Sequence, residues 1–360
     1  MINIYRYRLP FHSPFKIAGT TFDVREGVLL RYTAGNMDLV SEAAPLPGFS
    51  LETSGEVHAL LKREKQGLRQ FLDKISNPEQ LKNFLRQKQF PPSVSFCISC
   101  LGLDLITGRN PELQAPLAGP IRHHQVRVNG VIGAGPVKQV IHEVRKQYNS
   151  GFRTVKIKCR PDPEGLPGAI QSLSRQYPDL QFRLDANRSW EADQVPGILE
   201  KFKGLPIEYC EEPCHFRDLE QISYLNNISP VPLALDESIE NISHLRKIIE
   251  SAAVNIVIIK PMLLGSVLDL IETFAALDTP IIERVCTTSL ESGIGRASIA
   301  RLASVIGSGH LAHGLSTGSL LKDDLTITTP ILQNGSIELD STMPWCMEYA
   351  NCHADRFLKG

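Results

Sequence analysis

Five charged residues recur through the middle of the chain at nearly constant spacing: Lys158, Asp185, Glu211, Asp236 and Lys260. The intervals between them are 27, 26, 25 and 24 residues. Each ends a short apolar run, in TVKIK, FRLDAN, IEYCEEP, PLALDES and NIVIIKP. Side chains alternate across a strand, so Lys156 shares the face of Lys158, and Arg183 and Asn187 share the face of Asp185 where the strand continues. One Lys–Asp pair at a strand end is more often a structural ion pair than a reactive one. Five charges at the same end of successive strands invert that expectation, because strands arranged in a ring bring their final side chains to one mouth.

Three carboxylates meeting at one place repel one another unless a cation neutralises them. Asp185, Glu211 and Asp236 offer only oxygen, with no His or Cys beside each, which suits a hard, octahedral Mg²⁺ that keeps some of its waters. The lysines then leave the site positive overall, which favours an anionic substrate, most simply a carboxylate bound to the metal. A free lysine has a pKa near 10.4, so about one in 2,500 is neutral at pH 7. Nearby cations and desolvation lower that value and make a usable base. A metal on the substrate carboxylate stabilises the enediolate formed when the α-proton is removed.

Positioning these residues requires a regular frame. A strand of about six residues, a helix of about eleven and two short loops make a repeat of roughly 25 residues. Strands are expected near 125–129, 154–159, 181–186, 207–211, 231–236, 255–260, 280–285 and 309–315, with helices between most of them, and VKQVIHEVRKQYNSG is the clearest. Eight such strands fit a closed parallel barrel. An open doubly wound sheet is the competitor, but GVIGAGPVKQV carries only a loose version of its glycine fingerprint. Residues 1–50 alternate like a strand meander, and the pattern turns helical from about 52 to 106. The expected organisation is an α+β capping domain over 1–118, a TIM-like barrel over 119–330 and a segment over 331–360 that packs back on the cap.

The 360 residues are 42% hydrophobic and 21% charged, with formal net charge −1, so nothing points to nucleic acid or an anionic membrane surface as partner. No apolar run is long enough to span a bilayer and the N-terminus has no secretory h-region, so a cytoplasmic location is expected. Homo-oligomerisation stays open. Of eight cysteines, Cys97 and Cys100 form a CxxC inside FCISCLGLDLITG, where helical spacing makes them two small apolar side chains on one face.

These motifs together resemble the enolase superfamily, and within it the o-succinylbenzoate synthases of menaquinone biosynthesis. SEAAPLPGFSLET is similar to the cap segment of that family, TVKIK to its KxK pair, RLDANRSW, EEP and LDES to its metal-ligand motifs, and IIKPMLLGS to its opposite lysine. A lysine base combined with Mg²⁺ is the pattern of that superfamily. The resemblance implies a (β/α)7β barrel, Mg²⁺ (with Mn²⁺ able to substitute) on Asp185, Glu211 and Asp236, and Lys158 as base and then acid. It implies that Lys260 stabilises the enediolate from the facing side, Lys156 orients a carboxylate, and Arg183 and Asn187 support the site. Glu211 is preferred over its neighbour Glu212 as ligand. TTSLESGIG and HGLSTGS resemble the substrate-lining ends of the last strands, giving Ser289, Gly293, Ser316 and Thr317 as candidate substrate contacts. The implied reaction is loss of water from 2-succinyl-6-hydroxy-2,4-cyclohexadiene-1-carboxylate to give o-succinylbenzoate. The alternative is racemisation of N-succinyl amino acids, or another epimerisation, on the same scaffold. A dipeptide substrate is disfavoured, because GLSTGSL lacks the paired acids that would hold its ammonium group. The cap is expected to close the mouth through Phe15–Thr21, around Gly19, and through Pro47–Gly48–Phe49.

Overall fold

The computed structural model describes residues 1–17, 20–110, 124–276, 282–327, 332–340 and 343–359. The expected domain junctions at 118/119 and 330/331, and Gly19 in the first cap loop, lie outside these residues.

The chain begins with an antiparallel meander of β1 (Ile2–Ile17), β2 (Thr20–Ala34) and β3 (Met37–Ala43). Gly35, at φ 56°, makes the left-handed turn that lets β3 follow β2 after two residues. Three helices follow. α1 (Ser54–Leu72) starts at a reciprocal cap in which Thr53 and Glu56 satisfy each other's free N–H groups. α2 (Pro78–Lys88) is capped by Asn77. α3 (Pro92–Arg109) is predominantly apolar and buried along most of its length, between the cap sheet and the barrel. Cys97 and Cys100 lie within that helix as buried thiols.

The barrel sheet contains seven parallel strands, each hydrogen-bonded to the next in chain order. They are β5 (Gly130–Ile132), β6 (Thr154–Lys158), β7 (Gln181–Asp185), β8 (Ile207–Glu211), β9 (Leu233–Leu235), β10 (Ile256–Ile259) and β11 (Glu283–Cys286). The ring closes through a stretch too short to count as a strand. His313 bridges to Val128 and Gly314 to Thr287, both parallel, with the His313 N–H donating to the Arg127 carbonyl at 2.7 Å and the Gly314 N–H to the Cys286 carbonyl at 2.9 Å. The strand expected over 309–315 is thus reduced to a two-residue seam.

The strand expected over 125–129 is also divided. β4 (Gln125–Arg127) leaves the ring to pair antiparallel with β13 (Ser336–Glu338), itself paired with β12 (Leu332–Gln333). Alternation in the sequence shows that a segment is extended, but not which partner it will find. Near the C-terminus, β14 (Met347–Glu348) adds to β3 and β15 (Leu358–Lys359) adds to β1. The C-terminal segment therefore supplies both edges of the cap sheet, in the order β14-β3-β2-β1-β15.

Candidate active site

Strand register brings the periodic charges side by side. Lys158 pairs across with Asp185, Asp185 with Glu211, and Glu211 with Ala234, two residues before Asp236. Lys260 directly follows β10 and starts the short helix Pro261–Leu264. The three carboxylates are buried at the strand ends, at 2% exposure for Asp185, 2% for Glu211 and 7% for Asp236. Apolar strand interiors force these groups to find partners. Lys156 Nζ lies 2.9 Å from Asp185 Oδ2 and 2.8 Å from Glu211 Oε1, and Lys260 Nζ donates to Asp236 Oδ2 at 2.5 Å. Lys158 forms no ion pair with any described residue.

The electrostatics follow from this crowding. Burial opposes ionisation of Asp185, but the Lys156, Lys158 and Lys260 charges outweigh it and hold the carboxyl below the usual carboxylate range. Burial pushes the Glu211 carboxyl up; Lys156 pulls it back, and the charges of Asp185 and Asp236 add to the rise. Burial pulls Lys260 down, yet the Asp236 and Glu237 charges prevail and keep the ammonium more basic than usual.

Among the described residues, no three His, Cys, Asp or Glu side chains converge closely enough to enclose a metal ion as they stand. Lys156 bridges two of the carboxylates and Lys260 holds the third. The donor chemistry nevertheless fits a hard cation. The carboxylates offer only oxygen, and Asp185 Oδ1 is buried without a hydrogen-bond partner.

Two supporting residues stand differently from expectation. β7 ends at Asp185, and Asn187 lies in the left-handed region at φ 44°, so strand alternation does not carry to it. Its Nδ2 donates instead to Glu237 Oε1 at 3.2 Å. Arg183 lies inside the ring rather than at the mouth. It donates from Nε to Glu208 Oε2 at 2.6 Å and from one terminal nitrogen to the Ala312 carbonyl at 2.7 Å and Asn129 Oδ1 at 3.2 Å. An irregularity between β7 and β8 leaves Glu208 out of the pairing register beside Arg183, so this ion pair escapes a reading based on alternation.

The rim is built differently. Pro47–Gly48–Phe49 does reach the site, with Lys260 Nζ 5.2 Å from the Phe49 ring centroid and Gly48 at φ 84° making the turn. Beyond β11, three of the four expected substrate contacts, Gly293, Ser316 and Thr317, have their polar groups engaged by the protein itself. The Gly293 N–H donates to Asp324 Oδ1 at 2.6 Å. The N–H groups of Ser292 and Gly295 donate to the Glu42 carboxylate at 3.0 and 2.8 Å. Helix N-termini attract carboxylates, and here the nearest ones belong to the chain. Ser316 Oγ donates to the Asn129 carbonyl at 3.0 Å, and Thr317 Oγ1 lies 2.8 Å from Thr288 Oγ1. Only Ser289, of these candidates, has a buried hydroxyl without a partner. Arg25, buried on β2, donates to the Ser289, Leu290, Ala44 and Pro45 carbonyls and so ties the cap to the same turn. Neither Arg25, Glu42 nor Asp324 was marked by any periodic signal in the sequence.

Residues 139–344 match the family described as Enolase C-terminal domain-like, and residues 1–105 match MenC, N-terminal domain. The chain belongs to the enolase superfamily. Superfamily relatives with curated names include the o-succinylbenzoate synthase of Citrobacter koseri, 28% identical over 323 residues that cover 89% of this chain and 91% of that protein. The o-succinylbenzoate synthase of Klebsiella pneumoniae is 26% identical and covers 95% of this chain and 98% of its own. Among superfamily folds, the muconate lactonizing enzyme of Pseudomonas fluorescens superposes with TM-score 0.82 at 20% identity, covering 99% of this chain and 97% of the other. That of Pseudomonas putida gives 0.79 at 18% identity, with 97% of each chain covered. Among the described residues, no helix is long and apolar enough to cross a membrane.

Proposed function

We propose that this enolase-superfamily chain is an o-succinylbenzoate synthase, catalysing the Mg²⁺-dependent dehydration of 2-succinyl-6-hydroxy-2,4-cyclohexadiene-1-carboxylate. The observation that carries the reading is the unequal state of the three lysines. Lys156 and Lys260 are committed to carboxylates, whereas Lys158, in register with Asp185, has no ion-pair partner among the described residues. A base must have its lone pair available to the substrate, and a lysine held by a carboxylate does not. The curated relatives support the choice of reaction within the superfamily.

Asp185, Glu211 and Asp236 would hold Mg²⁺ or, in its place, Mn²⁺. When bound, the cation supplies positive charge to a substrate carboxylate as the α-proton leaves. Neutral Lys158 takes the proton α to the ring carboxylate, and the electron pair moves into an enediolate. Lys260, fixed by Asp236, lends its positive charge to that species from the facing side. The enediolate then collapses, the C–O bond to the ring hydroxyl breaks, and protonated Lys158 returns its proton to the departing oxygen. Water leaves from the face on which the proton was taken, and the ring becomes aromatic. Phe49 covers the mouth beside Lys260 and excludes water.

Purified protein with Mg²⁺ is expected to produce the ultraviolet absorbance of o-succinylbenzoate from the cyclohexadiene substrate. Absence of aromatic product would overturn the assignment. N-succinyl amino acids in deuterated water test the racemase alternative, since two lysines flank one site. Deuterium incorporation at the α-carbon without dehydration activity would move the assignment to that reaction.

A further inference from the structure

Three non-glycine residues at the ends of β7 and β8 occupy the left-handed region: Asn187 at φ 44°, Arg188 at 59° and Glu212 at 44°. Such backbone persists only where its surroundings enforce it. β8 ends at Glu211, whose carboxylate meets Lys156, and Glu212 follows just outside the strand. The Glu212 carboxylate, fully buried, instead gathers donors on both oxygens. Oε1 accepts from Arg188 Nε at 2.9 Å and from Ser238 Oγ. Oε2 accepts from the Asp236 N–H at 2.9 Å and the Ser238 N–H at 3.2 Å. The backbone repeats these links: the Arg188 N–H donates to the Glu212 carbonyl at 2.7 Å, and the Glu212 N–H to the Ala234 carbonyl at 2.9 Å.

We propose that Glu212 is a positioning residue that sets Asp236 relative to Glu211 and Asp185, and so fixes the spacing of the three carboxylates for a divalent cation. This rests on the cation-binding role given to those carboxylates above. One peptide bond joins Glu211 to Glu212, and one hydrogen bond joins Glu212 to the backbone of Asp236. The same carboxylate reaches back through Arg188 to the segment that follows Asp185. All these donors belong to segments adjoining the proposed ligands. A residue needed only for packing would be served by an apolar side chain. A full set of donors on a buried carboxylate instead defines position and angle.

Glu212→Gln separates the two roles. A carboxamide can accept on one side only, so its NH₂ must face either the Arg188 and Ser238 side-chain donors or the two backbone N–H groups. Mn²⁺ binding to the substrate-free protein would be measured by titration calorimetry, with circular dichroism and thermal melting as checks of folding. Glu212→Gln is expected to bind Mn²⁺ about 10–100-fold more weakly than the native protein. Ser238→Ala and Arg188→Lys, which keep the bond to the Asp236 N–H, are expected to lose less. A folded Glu212→Gln protein with native Mn²⁺ affinity would overturn the inference. If that variant does not fold, unchanged affinity in both of the others overturns it. A native protein that binds no Mn²⁺ would instead refute the cation site itself.

Discussion

The floor of the site and its rim are assembled by opposite means. The floor takes one or two charged groups from each of five neighbouring strand ends, and strand register alone brings Lys158, Asp185 and Glu211 abreast. The rim after β11 is held by residues that are distant in sequence. Arg25 and Glu42 come from the cap, and Asp324 comes from beyond the last barrel helix. Arg25 takes the free carbonyls of the turn, while Glu42 takes the free N–H groups of the helix Gly293–Ile306. The floor is therefore a repeated local solution and the rim a single long-range one. Shared enolate chemistry can reside in the first while substrate preference is adjusted in the second.

The sharpest break in that contrast comes from removing the cation. Dialysis against a chelator should reduce dehydration to background, and added Mg²⁺ should restore it; activity that survives chelation would leave the carboxylate floor without its proposed purpose. Lys158→Ala comes next. Loss of a general acid–base group costs about 10²–10⁴-fold in turnover, and Mn²⁺ binding should persist because Lys158 holds no carboxylate. Native turnover in this variant would refute the base assignment. Phe49→Ala tests where the cap meets the floor. A cation–π contact of about 0.5–2 kcal/mol predicts a loss of about 2–30-fold in kcat/KM.

For the rim, Glu42→Gln should lower unfolding stability by about 1–3 kcal/mol in denaturant titration, because buried donors lose acceptors. Its Mn²⁺ affinity should stay native; a fall as large as that expected for Glu212→Gln would erase the distinction between floor and rim. The smallest effect concerns another long-range tie. Asp104 on α3 accepts the Trp345 and Cys346 N–H groups at 2.8 and 2.7 Å, and burial raises its carboxyl to about 6 against the pull of those two bonds. Above its unfolded pKa of 3.8 the folded form holds this proton more tightly than the unfolded one. The contribution to stability is therefore present at low pH and is lost as pH rises to about 6. Asp104→Asn should flatten that part of the stability–pH curve.

The order of the strands, the ring they form and the five charges at its mouth were legible because each follows from a local rule. Apolar runs make strands, alternation assigns faces, and a constant repeat places equivalent residues at equivalent heights. Those rules failed where a backbone torsion or a partner choice intervened. Asn187 leaves its expected face because β7 ends at Asp185 and φ is positive at Asn187. β4 leaves the barrel because β13 supplies an edge some two hundred positions away. Gly293 reads as an open anion donor until Asp324 is folded against it. The sequence by itself determined which chemical groups meet, since strand geometry is short-range and periodic. Only the tertiary structure decided which of them are already satisfied, because a buried donor takes whichever acceptor the folded chain places within hydrogen-bond reach.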